Sequence, residues 1–141
     1  MRAFLSALFA LISTGWAEPM TNEEMRTLQA VVVPVLRAAN LDPMPRVVIA
    51  SSSHPRLRPA RANGLTGEAI DRLGRADITE TGAHILYLSR SLLDDEAALR
   101  EASIHEAAHF LAWQRHGYRI KEHGSKFNRA LRDIRRNLND T

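Results

Sequence analysis

DDEAALREASIHEAAHFLAWQRHG, residues 94–117, reads as one long helix. Asp94, Asp95 and Glu96 put negative charge where the unpaired N–H groups and dipole of a helix start favour it. No Gly or Pro interrupts Ala97 through His116, and Gly117 is a natural residue to end a helix. Ala98, Ala102, His105, His109, Ala112 and His116 recur at steps of four and three, so they share one stripe. Small residues around the histidines predict a packed face rather than a solvated one.

Outward from this helix, the period changes. Ile85-Leu86-Tyr87-Leu88 just upstream reads as a strand, as does Arg46-Val47-Val48-Ile49-Ala50. Thr21-Asn22-Glu23-Glu24 has capping-box spacing and predicts a helix to about Ala39, kinked or broken at Pro34 and ended by Asn40, Pro43 and Pro45. Residues 51–65 read as loop plus a short strand. Residues 66–82, with Gly67, Gly74 and Gly82, read as a loop or hairpin excursion with a helical turn around Glu68–Leu73. Downstream, Ser125 can cap a last helix with Phe127, Ala130, Leu131, Ile134 and Leu138 on one stripe. Arg129, Arg132, Arg135 and Arg136 fall mainly on its other faces. Strands followed by helices in one small unit predict an α+β fold, with a small mixed or antiparallel sheet packed on the long helix and helices at both ends.

The whole chain has 141 residues, 45% hydrophobic and 25% charged, which suits one globular domain. It has no cysteine, which excludes disulfides, thiolate metal ligands and a cysteine nucleophile. Residues 1–17, MRAFLSALFALISTGWA, carry Arg2, an apolar run from Ala3 to Ile12, and Gly15 and Ala17 before Glu18. That is the pattern of a cleaved secretory signal, and its run is about half of the ~20 residues a spanning helix needs. Residues 18–141 are then the mature domain, periplasmic or secreted, with no stable membrane insertion. Net charge is only +3, so the basic residues after Arg115 read as the solvated back of the last helix rather than a nucleic-acid surface. No G-x-S-x-G, P-loop or dinucleotide fingerprint is present.

His105-Glu106-Ala107-Ala108-His109 carries the chemistry. Two histidines at i and i+4 project from one helix face and can hold a single zinc ion, Zn2+. Glu106 stands beside that face, placed to act as general base on a water acidified by zinc. A catalytic zinc usually has three protein ligands. His116 lies about 10 Å further along the axis, too far to share the ion. His123 follows the Gly117 turn, and the intervening residues can span up to about 23 Å, ample for return. Glu122 and Asp133 are the carboxylate alternatives. Glu101, one turn before His105, could orient its ring. Tyr118, Tyr87, His116 or Arg119 could stabilise an oxyanion. His54 and His84 belong to no motif and read as ordinary loop residues.

His123-Gly124-Ser125-Lys126-Phe127 is an H-G-x-x-F segment. With His105-Glu106-x-x-His109 it resembles the SprT-like zinc metalloproteases and related small zincins, and the strand and leucine pair at Ile85–Leu93 fits the same likeness. The resemblance covers roughly residues 84–131. It implies a zincin-like domain over residues 18–141, with His105, His109 and His123 as zinc ligands and Glu106 as catalytic base. It also implies a strand at 85–89 serving as the sheet edge on which a peptide or protein substrate pairs. The function expected is that of an exported zinc metallopeptidase. The competing expectation is an exported binding module with a structural or vestigial zinc site, since little chain remains for a second lobe.

Overall fold

The computed structural model describes residues 20–51, 54–57 and 73–139. The expected signal at 1–17 lies outside these, as does the turn around Glu68–Leu73 apart from Leu73 itself. The fold is α+β. In chain order the elements are α1 (Asn22–Thr27), α2 (Val33–Ala39), β1 (Arg46–Ala50), β2 (Gly74–Ile78), β3 (His84–Ser89), α3 (Glu96–His116) and α4 (Ser125–Asn139).

The capping box forms as expected. Glu24 N donates to Thr21 Oγ1 at 3.1 Å and Thr21 N donates to Glu24 Oε1 at 3.0 Å. The Glu24 carboxylate also accepts both bonds of Arg90 Nη1, at 2.8 and 2.7 Å, tying the first helix to the end of β3. Pro34 does not break the helix. Leu28–Val32 widens into a π turn, in which the Val33 N–H reaches back to Leu28 O. The wider turn falls where proline's ring and missing N–H disrupt an ordinary α turn, so the strain is taken up locally and α2 runs on to Ala39. Asn40 then ends it in the left-handed conformation, φ 50°.

Among the described residues the sheet has three strands in the order β1-β3-β2. β1 runs parallel to β3, with Val47 opposite Leu86 and Ile49 opposite Leu88. β2 runs antiparallel to β3, with Gly74 opposite Leu88 and Ala76 opposite Leu86. Two corrections follow. Gly74–Ile78, expected to be loop or hairpin excursion, is a strand. Among the described strands, the one expected at 85–89 as the sheet edge is central, and β2 is the outer strand beside α3.

Strand alternation splits the sheet into two faces. Val47, Ile49, Leu86 and Leu88 join the main core with α3 and the flanking helices. Val48, Ala50 and Ile85 form a smaller cluster with Leu57 on the far side, against which Tyr87 packs. Helix α3 is the axle of the domain. Asp95 caps it by accepting from Ala98 N at 3.1 Å, and the Gly117 N–H bonds Trp113 O at its end. Residues 106–112 are all buried, so the helix is enclosed on nearly every side. Helix α4 packs one stripe, Phe127, Ala130 and Ile134, against it. Two ion pairs bridge the two helices at the surface, Arg115–Asp133 at 2.8 Å and Arg135–Glu101 at 2.9 Å.

Candidate metal centre

His105 and His109 lie one turn apart on α3, and their ring centroids are 5.1 Å apart. The short connection after Gly117 brings His123 back onto them, its ring 5.1 Å from His105 and 4.9 Å from His109. Each ring offers a nitrogen, and the three nitrogens lie within 4.8 Å of one another, a group that could hold a metal ion. His123 Nε2 and His109 Nε2 are 3.2 Å apart. Imidazole nitrogens at that spacing share one proton or face one cation. Tetrahedral zinc with bonds of about 2.1 Å would separate its ligand atoms by about 3.4 Å, so the donor set fits the ion in kind and the His109–His123 pair fits it in spacing.

Phe127, three positions into α4 and buried, is the wedge under the cluster. Its ring lies 5.1, 4.6 and 5.0 Å from His105, His109 and His123. The H-G-x-x-F segment is thus one device: His123 sits before the helix and Phe127 inserts a turn later, beneath the same rings. Trp113 also stacks on His109, at 5.7 Å. Burial is graded, from His109 at 5% exposed through half-buried His105 to exposed His123, so one side of the cluster faces solvent. Burial pushes the His109 pKa down to about 3, helped by the neighbouring His105 and His123. It pushes His105 down to about 4, helped by His123 and opposed by the charge of Glu122. Both rings are therefore neutral at neutral pH, with lone pairs available to a cation.

Glu106 is buried, 2% exposed, and leans toward the sheet edge. Its Oε2 accepts a 2.8 Å bond from the backbone N–H of Ala76 on β2. A Cβ added at Gly74 would stand 3.3 Å from Glu106 Cγ, so the bare glycine gives the carboxylate its room. The edge strand therefore holds Glu106 through one amide and one missing side chain. Neither gives a sequence signal: an amide is present at almost every residue, and Gly74 reads as a turn.

The SprT-like family model matches residues 53–141, well over half of the chain. The chain belongs to the SprT-like family. No curated protein and no solved structure matches it. The family match extends upstream of the 84–131 resemblance, through β2, and the small zincin-like α+β fold agrees with it.

In this SprT-like chain the other residues singled out by sequence sort clearly. Asp133 is not in the histidine cluster but pairs with Arg115 and Arg136, at 2.8 and 3.0 Å. Glu122 is exposed and outside the donor group, though close enough for its charge to act on His105. Glu101 is corrected from a partner of His105 to a partner of Arg135, by bonds of 3.2 and 2.9 Å. Tyr87 lies on the sheet face turned away from α3, with His54 5.2 Å from its ring. His116 is exposed at the end of α3. Tyr118 is 63% exposed, with its ring edge-on to Trp113 at 6.3 Å. His54 keeps its expected place in a loop, whereas His84, also expected in a loop, belongs to a strand. His54 is buried and accepts from Arg56 N at 3.1 Å, while His84 opens β3 and stacks on Phe110 at 5.4 Å.

Proposed function

We propose that this SprT-like chain is a zinc-dependent metallopeptidase, with His105, His109 and His123 as ligands and Glu106 as general base. The observation that carries the reading is the convergence of His123 on the helical pair, 3.2 Å from His109 Nε2, across 14 residues of chain. A helix bearing two histidines for other reasons has no call for a third to return to it. Zinc, when bound there, supplies Lewis-acid polarisation of a peptide carbonyl and acidifies water.

The chain's own residues do the remaining work. The Ala76 amide and Gly74 fix where the Glu106 carboxylate points, so it meets the attacking water without first reorienting. Glu106 takes the proton from that water and delivers it to the leaving amine. Burial around His109 and Phe127 keeps water off the inner side, and exposed His123 leaves the outer side open to a peptide or protein. An intact, positioned Glu106 favours this reading over a structural zinc site, which needs no base.

The test is cleavage of an unfolded protein by the purified, zinc-loaded chain. Glu106→Gln should lower the rate by about 10²–10⁴-fold while metal analysis still finds zinc. His123→Ala should lower both zinc content and cleavage. Undiminished cleavage in Glu106→Gln overturns the mechanism, and zinc without cleavage in the native chain leaves a binding module. We also read residues 1–17 as an export signal, on the basic residue, apolar run and small residues described above. N-terminal sequencing of the protein recovered from expressing cells should begin at Glu18, and recovery of an intact Met1 would refute it.

A further inference from the structure

The connection that delivers His123 also builds a cavity of about 240 Å³, lined by Arg119, Ile120, Lys121, Gly124, Ser125 and Lys126. Three of these six residues are cations. None makes an ion pair with a described residue, although Arg90, Arg115, Arg135 and Arg136 each do. The single acid of the connection, Glu122, is adjacent in sequence to His123, and its charge is felt at His105. Lys121 is also seated. Its stem lies so close over Gly124 that an added Cβ would come within 3.1 Å of Lys121 Cβ. Three like charges around one concavity repel one another, and an anion placed among them relieves that repulsion.

We propose that this cavity is a specificity subsite for an acidic side chain of the peptide substrate. The inference rests on the peptidase reading above. Lys121 and Lys126 stand two and three positions from His123 and Gly124 follows it directly, so one short segment carries both the cavity wall and a ring of the histidine cluster. A peptide advances about 3.3 Å per residue, which places the recognised acid within a few residues of the scissile bond. Ile120 adds an apolar wall for the methylenes of glutamate, and the volume is several times the roughly 30 Å³ of one water. The cations then pair with the carboxylate by charge-assisted hydrogen bonds.

The test separates recognition from catalysis by using the full zinc-loaded chain carrying Glu106→Gln. A fluorescent, unstructured decapeptide with two glutamates is titrated against its glutamine counterpart, with anisotropy as the readout. The acidic peptide should bind about tenfold tighter at low salt, and the advantage should shrink as salt is added. Arg119→Gln, Lys121→Gln and Lys126→Gln should each reduce that ratio, and the triple variant should bring it near one. Equal binding of the two peptides, or a ratio untouched by the triple variant, overturns the proposal. So does a single-stranded oligonucleotide that displaces the acidic peptide while binding with higher affinity, which assigns the cavity to phosphates. In the native chain, equal cleavage of both peptides keeps the peptidase and discards the subsite. Selective binding without any cleavage keeps the subsite and discards the peptidase.

Discussion

At position 74 only a hydrogen fits without moving Glu106. An alanine Cβ would press on Glu106 Cγ at 3.3 Å, which a few tenths of an ångström of movement relieves, and would meet Leu88 and the Tyr87 carbonyl at 3.5 Å in ordinary contact. The branched carbons of valine have no such escape. Gly74→Val should leave the domain folded and zinc content unchanged while lowering turnover by about 10²-fold, the scale of a 1 Å misplacement of a reacting group. Gly74→Ala should fall between that and the native rate. Native turnover in Gly74→Val, measured with zinc content, would refute the positioning role. At this scale the histidine cluster was legible in the sequence, because i, i+4 spacing and a short return after Gly117 are local geometry. The fates of Glu101, Tyr87 and His54 were not. Each depends on which neighbour a different element presents, Arg135 for the first and the far sheet face for the other two.

Helix α3 depends on its first turn. Asp95 is the side chain that caps it among the described residues, through the 3.1 Å bond to Ala98 N. Asp95→Ala should cost about 1 kcal/mol in urea unfolding, and Asp95→Asn should recover most of it; a loss below about 0.3 kcal/mol would show that the cap contributes little. The helices were readable because each carries its own start signal and a 3.6-residue period. β2 was not. Gly-Arg-Ala-Asp-Ile has no apolar run, and it is a strand because β3 lies beside it and α3 above it. The position of β3 is hidden from the sequence for the same reason, since sheet order is decided by pairing between distant segments. Pro34 shows a subtler limit: the sequence marks where the helix is disturbed, while packing of Leu28 and Val32 into the core keeps it continuous as a π turn.

For the whole molecule, a buried neutral centre couples stability to acidity. His105 and His109 titrate near 4 and 3 when folded, against 6.5 for an ordinary histidine. The unfolded chain therefore takes up more protons than the folded one as pH falls below 6.5. Stability is fully present above that value and is lost as pH drops toward 4 and below. Burial lowers His54 and His84 as well, so they act in the same direction. Glu24, held low by the Thr21 backbone amide and then by Arg90, and Glu101 and Asp133, held low by Arg135 and Arg115, add their loss beneath their ordinary values of 4.5, 4.5 and 3.8. Between pH 6.5 and 4.5 the metal-free chain should lose stability with a slope of up to about 1.4 kcal/mol per pH unit for each of the two cluster histidines. Denaturant titrations of a His105→Gln, His109→Gln double variant should give a flatter profile, and an equally steep one would sink the assignment.

The grip on Glu106 has a consequence for how copies of the protein behave toward one another. The outward amides of an edge strand are a template on which another chain can build. On β2 two of them are already taken, Ala76 N–H by Glu106 and Ile78 N–H by the carboxylate of Asp77 at 3.0 Å. The residue proposed to move protons also closes a sticky border. Replacing it with glutamine keeps an oxygen against Ala76, whereas alanine uncovers the border, so loss of chemistry and loss of solubility would arrive together in the alanine variant and stay separate in the glutamine one.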